Sequence, residues 1–219
     1  MDGTGHPSAE HERRTHWDDR YRSVGPSAVS WYEDRPSLSL ELLDLVGADP
    51  SDGVIDIGGG ASRLTASLQA RGYTDLTVLD VSSEALRVAR ESVGRPDEVT
   101  WIRADLLDWA PGRTWSVWHD RAVFHFLTDP AGRAAYRDLL RRAVAPGGAV
   151  VVATFAEDGP ESCSGLPVAR YDPAGLLAEL GPGLVEVGHG RVDHTTPAGS
   201  VQPFTWVAAR RLRQDPADG

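Results

Sequence analysis

Residues Val54 to Leu64, V-I-D-I-G-G-G-A-S-R-L, constrain the fold more than any other stretch of this chain. Val54 to Ile57 reads as a strand buried on both faces, and the glycines that follow turn the backbone at once into a helix. Such a unit carries bare N–H groups and a helix N-terminus to the C-terminal edge of a sheet, where open α/β sheets bind ligands. With 219 residues, 41% of them hydrophobic, the chain can bury one sizeable core, and one domain is expected. The net charge of −10, from 22 basic and 32 acidic residues, opposes a polyanion-binding surface and disfavours nucleic acid as substrate. There is no run of about 18 apolar residues and no apolar leader within Met1 to Glu12, so no membrane partner is expected and a cytoplasmic location is. The lone Cys163 agrees with a reducing compartment.

In chain order, residues 1–12 are polar and aperiodic and read as a tail. His11 to Tyr21 reads as a short helix with Trp17 and Tyr21 on one face. Trp31 and Tyr32 precede a helix that starts near Pro36, with Leu38, Leu42, Leu45 and Val46 at helical spacing. Ala61 to Arg71 reads as a helix stopped by Gly72. Strand Leu76 to Leu79 ends in Asp80, and a helix follows from Ser82 to Val93 with Ser82 or Ser83 as cap. Strand Val99 to Ile102 is closed by Arg103-Ala104-Asp105, and strand Trp115 to Trp118 by His119-Asp120-Arg121. Ala131 to Ala145 reads as a helix, and Ala149 to Phe155 as a central strand. Glu157 to Arg170 reads as a long loop, and Asp172 caps a helix that runs to Leu180. Leu184 to Gly188 and Val201 to Arg210 read as closing strands joined by a Pro/Gly connection. Alternating strands and helices imply a parallel sheet.

Asp56-x-Gly58-x-Gly60 resembles motif I of the class I, Rossmann-like S-adenosylmethionine-dependent methyltransferases, with Ser62 in place of the third glycine. The acids at 80 and 105, the strand ending near His119 and the Pro146-Gly147-Gly148 turn strengthen the resemblance, which covers roughly Trp17 to Ala209. It implies an α/β three-layer sandwich whose mostly parallel seven-stranded sheet ends in an antiparallel β-hairpin. The domain then spans 13–211 with an N-terminal helical lid, and residues 212–219 form a second tail. It implies S-adenosylmethionine as cofactor. The amino-acid end would lie at Asp56, Gly58, Gly59, Gly60 and the backbone of His119, the ribose at Asp80 with Val81, and the adenine at Asp105 with Leu106. Trp17 and Tyr21 either dock their helix on the core or form a lid over this site. Asp80 and Asp105 also have ordinary uses as turn or helix caps. The rival dinucleotide fingerprint fits Gly58 and Gly60 but puts Arg63 where its third glycine should be.

The acceptor is less constrained. A small molecule is expected, with a protein lysine side chain or a catalytically silent cofactor-binding module as alternatives; nothing reports the oligomeric state. Transfer needs in-line alignment and an unprotonated acceptor. His125 is the first candidate base, with an aromatic neighbour to Phe124 and Phe126 as its ordinary reading, and His119 is the second. Arg121 either binds an acceptor carboxylate or pairs with Asp120 or Asp129. Trp31, Tyr32, Cys163 and Tyr171 are candidate acceptor-pocket residues, although each also has a packing role open to it. No Cys/His spacing argues for a metal.

Overall fold

The computed structural model describes residues 9–25 and 27–213. Seven strands form one sheet in the order β3-β2-β1-β4-β5-β9-β8. These are β1 (Val54–Ile57), β2 (Leu76–Asp80), β3 (Val99–Arg103), β4 (Trp115–Arg121), β5 (Val144–Phe155), β8 (Leu184–Thr195) and β9 (Val201–Arg211). Strands β1 to β5 pair in parallel, while β9 runs antiparallel to both β5 and β8. The fold class is therefore the one implied by motif I.

Period-two alternation divides the sheet's side chains between two cores. Val54, Val117, Val151 and Ala208 meet Leu40 and Leu43 of α2 (Ser37–Leu45), Leu64 and Leu68 of α3 (Leu64–Ala70), and Leu86 of α4 (Ser83–Ser92). On the other face Ile55, Ile57, Trp118 and Val150 meet Tyr136 and Leu140 of α5 (Pro130–Ala143), and Leu176 and Leu180 of α6 (Pro173–Leu180). Helix α1 (Ala9–Val24) lies outside these layers against α4, through a cluster of Trp17, Tyr21, Val29, Trp31 and Ala85. Three caps act where the sequence suggests or close by: Ser82 Oγ accepts from Ala85 N, Asp129 from Gly132 N, and Asp172 from Gly175 N.

Several expectations need correction. Helix α1 begins at Ala9, inside the expected tail; the rest of the two tails, residues 1–8 and 214–219, lies outside the described residues. Leu45 is 47% exposed, and α2 instead buries Ser39, Leu40, Leu42 and Leu43. Strand β8 does not stop at Gly188 but continues to Thr195. Gly190 leaves the room that the Trp206 ring occupies, since a Cβ there would stand 2.7 Å from Trp206 Cζ2. The loop over 157–170 contains a small hairpin, β6 (Ser162–Cys163) with β7 (Leu166–Pro167), turned through Ser164 and Gly165 at positive φ.

A polar chain crosses the second core. Trp118 Nε1 donates to Tyr136 Oη at 2.9 Å, and Tyr136 Oη donates to Asp120 Oδ2 at 2.7 Å. Burial raises the Asp120 carboxyl to about 6, even though bonds from Tyr136, Val123 and Phe124 pull it down. Tyr136→Phe strips both neighbours of a partner at a fully buried site. Urea denaturation is expected to show a loss of about 2–3 kcal/mol, and a loss under about 0.5 would mean that the chain contributes nothing.

Candidate functional site

The parallel strands end together, and the loops after β1, β2, β3 and β4 line a cleft of about 340 Å³. Ile57 and Gly58 form its floor, with Asp80 and Val81 on one side, followed by Asp105 and Leu106. Trp17, Tyr21 and Trp31 lie over it, and Phe126, Cys163 and Leu166 line the far wall. Arg121, at the end of β4, borders both this cleft and an adjoining chamber of about 30 Å³, whose lining includes Asp56, Gly58, Gly59, His119, Tyr32, Glu33 and Ser39.

The glycine turn is required by contact and by conformation. Gly58 has φ +62°, and a Cβ there would overlap Val123. A Cβ on Gly60 would sit 2.6 Å from Asp80 Oδ2. Ser62, the departure from motif I, accepts from Leu64 N at 3.0 Å and starts α3.

Asp80 is buried and accepts from Ser82 N at 2.8 Å. Burial raises its carboxyl to about 7; the Ser82 amide opposes this, and the nearby charges of Asp56 and Asp18 add to the rise. Asp105 accepts from Leu107 N at 3.1 Å and from Arg13 Nε, so it both caps a turn and faces the cleft. Neither Arg13 nor Asp18 was singled out from sequence. Asp18, on α1, accepts from Ser82 Oγ at 2.6 Å, Ser83 Oγ at 3.2 Å and Glu84 N at 3.2 Å, which ties the N-terminal helix to the loop that carries Asp80. Burial pushes the Asp18 carboxyl up, but these bonds outweigh it and hold it below the ordinary range.

In the chamber, His119 Nδ1 lies 2.7 Å from Asp56 Oδ1, and its Nε2 lies 2.9 Å from Ser39 Oγ. A carboxylate only accepts, so Nδ1 carries a proton and donates to Asp56, while Nε2 shares a hydrogen bond with the Ser39 hydroxyl. Asp56 Oδ2 and Glu33 Oε2 are buried without a partner. Glu33 Oε1 accepts from Arg121 Nη2 at 2.9 Å and lies 3.1 Å from His194 Nδ1. Neither sequence-proposed partner of Arg121, Asp120 or Asp129, pairs with it; Asp120 turns inward to Tyr136 and Asp129 caps α5.

Three expected roles do not survive the packing. His125 is completely buried, its ring wedged against Phe126 and Phe155, and neither ring nitrogen has a hydrogen-bond partner. Burial lowers it to about 3, so it is neutral and faces the core rather than the cleft. His119 has both nitrogens engaged and is no free base. Tyr171 packs on Phe124 in the α5–α6 core and lines neither cavity. Cys163 does reach the cleft, with its thiol raised by burial to about 11. Among the described residues no His/Cys/Asp/Glu group could hold a metal ion, and no helix is long and apolar enough to cross a membrane.

An orphaned carboxylate oxygen beside a small chamber, a glycine cradle against a buried acid and a third acid on the next loop together fit a cationic nucleoside with an amino-acid end. That arrangement, on a 3-2-1-4-5-hairpin sheet, defines the class I methyltransferase fold. Residues 54–148 match the family described as "Methyltransferase domain". The chain is 31% identical over 137 residues to trans-aconitate 2-methyltransferase of Azoarcus sp. (strain BH72), an alignment covering 62% of this chain and 49% of that relative. The chain thus spans about half the length of this curated relative. The N-methyltransferase NodS from Bradyrhizobium japonicum WM9, solved with S-adenosylhomocysteine, superposes with TM-score 0.62 at 19% identity, over 89% of this chain and 99% of that one. The 1,6-didemethyltoxoflavin-N1-methyltransferase of Burkholderia thailandensis, solved with its acceptor and S-adenosylhomocysteine, gives 0.64 at 17%, over 97% and 93%. Residues 54–148 thus resemble a methyltransferase domain, within a chain that has the class I methyltransferase fold.

Two outcomes are expected. Because the folded-state value of Asp80 lies above the unfolded one of about 3.9, its ionisation destabilises the free protein as pH rises from about 4 to 7. Asp80→Asn should therefore melt at the same temperature as the parent near pH 4 and several degrees higher at pH 8; equal melting at both would refute the buried-acid account. His125→Phe, which removes two unpaired nitrogens at nearly constant shape, should gain about 1 kcal/mol in denaturation without changing affinity for S-adenosylhomocysteine.

Proposed function

We propose that this protein transfers the methyl group of S-adenosylmethionine to a small-molecule acceptor by direct in-line displacement. The observation that carries this reading is the continuity of the cleft, which runs from Gly58, Asp80 and Asp105 into a chamber walled by Trp17, Trp31 and Phe126 under the N-terminal helix. An acceptor there would be enclosed by aromatic side chains that exclude water and restrict its approach to one direction. Two of the similar proteins support a small molecule, since one is named for trans-aconitate and another for didemethyltoxoflavin, while a 26%-identical relative from Drosophila melanogaster is named for eEF1A lysine and N-terminal methylation.

In this reading the free oxygen of Asp56 accepts from the cofactor's ammonium group, oriented by His119 and, through it, by Ser39. The ionised Asp80 accepts from the ribose hydroxyls, each such bond to a charge being worth roughly 1.5–3 kcal/mol. Asp105 takes the adenine amino group as Arg13 yields or shares it. The bound cofactor supplies an activated methyl on a sulfonium, which leaves to the protein only alignment and exclusion of solvent. In this reading Trp17 and Tyr21, which pack α1 on the body and line the cleft, also serve as its lid.

Calorimetric titration with S-adenosylmethionine, S-adenosylhomocysteine and NAD in parallel tests the reading. Heat from the first two and none from NAD is expected, with affinity for S-adenosylhomocysteine rising as pH passes through about 7, where Asp80 ionises. Binding of NAD alone would overturn it.

A further inference from the structure

The acceptor end of the cleft pairs a buried guanidinium with the absence, among the described residues, of a histidine or lysine base. Arg121 closes β4, and Ala122, at φ +70°, turns the chain sharply away immediately after it. The guanidinium is 13% exposed and sits over the Phe204 ring at 5.6 Å. Its hydrogen-bond partner is a single Glu33 oxygen, which also faces His194, so most of its five N–H donors remain for a ligand. Burial lowers its pKa, opposed by the charges of Glu33 and Asp56, as expected for a guanidinium held out of water rather than a solvated surface arginine.

A histidine or lysine base, by contrast, is missing from the described residues that line the main cleft. The chain contains no lysine. Among the described residues no histidine lines the main cleft: His125 faces the core, His119 is bonded on both sides in the side chamber, and His194 bridges Ser30 O and Glu33. Burial keeps Tyr21 and Cys163 protonated at neutral pH. Asp129 caps α5 and Asp105 is paired with Arg13. Asp80 stands at the end of β2, two strands from Arg121 in the sheet order and therefore about 10 Å away. Amines and alcohols, protonated at neutral pH, would find no histidine or lysine in the main cleft to take their proton, and Glu33, whose second oxygen is unpartnered, is held by Arg121 in the side chamber. A carboxylate arrives already ionised.

Building on the methyl-transfer reading above, we propose that the acceptor is a small carboxylic acid, bound as its anion by Arg121 between the aromatic walls and methylated on a carboxylate oxygen. The oxygen's lone pair forms the new bond to the methyl carbon as the carbon–sulfur bond breaks and its electron pair returns to sulfur. One anion and one sulfonium cation become a neutral ester and a neutral thioether, with no proton moved. The planar fork of Arg121 suits a carboxylate, and its grip weakens once the ester has lost the charge, which favours product release.

The test uses the purified full chain with methyl-labelled S-adenosylmethionine. The acceptors are a panel of aromatic and unsaturated carboxylic acids, from benzoate and trans-cinnamate to fumarate, alongside their primary amides and matched amines. Label is expected in the acids only, and mild alkali should release it as volatile methanol. Arg121→Gln should raise the KM for the best acid roughly tenfold or more, while the Kd for S-adenosylhomocysteine moves less than about threefold; Arg121→Lys should recover part of the loss. Label confined to amides or amines, none in any acid, an alkali-stable product, or an unchanged KM in Arg121→Gln would each overturn the proposal. Loss of S-adenosylhomocysteine binding in that variant would also overturn it, by assigning Arg121 to the cofactor. Failure of the parent protein to bind S-adenosylmethionine at all would instead bring down the methyl-transfer reading beneath it.

Discussion

Burial of β1 on both faces is the constraint on which the rest of this structure depends. Val54, Ile55 and Ile57 feed two separate cores, so the strand has no solvent-facing side on which to place a polar group. Its polar residue, Asp56, must therefore find a polar partner on its own face of the sheet, and it finds His119 on the neighbouring β4, directly opposite in register. The same rule applies along the sheet: Asp80 and Asp120 are both held at strand ends, where hydrogen bonds from the following turn are within reach. The C-terminal edge thus collects acids because the interior excludes them.

That collection has an electrostatic consequence. Asp18 and Asp56 lie close to Asp80, and both raise the cost of ionising it. Without a ligand, the site is strained by charge and by desolvation together. A ligand carrying positive charge relieves this strain, which links affinity to the same groups that lower the stability of the free protein. Helix α1 contributes through Asp18 and Arg13, which fasten it to the loops after β2 and β3. Arg121 is the counterweight at the other end. It pairs there with Glu33 and sits over the Phe204 ring.

Much of this was legible in the chain. The strand–glycine–helix unit, the acids ending β2 and β3 and the alternation of elements depend on local spacing; they imply a parallel sheet with a ligand site at its C-terminal edge, and the family resemblance they carry implies the closing antiparallel hairpin. Residues whose meaning lies in a partner far along the chain were not. Ser39 is 80 positions from His119, Asp18 is 64 from Ser82, and Glu33 is 161 from His194. No periodicity signals such pairs. His125 misled because a three-residue turn can present either face to the cleft, and here Phe126 takes the cleft while His125 takes the core. The extent of β8 was missed for a similar reason: its glycines look like a turn, but they accommodate the Trp206 ring across the hairpin.

By itself, the sequence determined which backbone segments could be strands and helices, where the glycine turn falls and that two acids end the strands beside it, because covalent geometry and hydrophobic periodicity are local properties. Only the tertiary structure decided which polar groups are bonded, orphaned or hidden. It turned His125 inward, occupied both nitrogens of His119, and left Arg121 as the cation between the cleft and its side chamber. Those outcomes depend on the burial and hydrogen-bond geometry that arise when distant segments pack, and it is they that decide what chemistry the site can support.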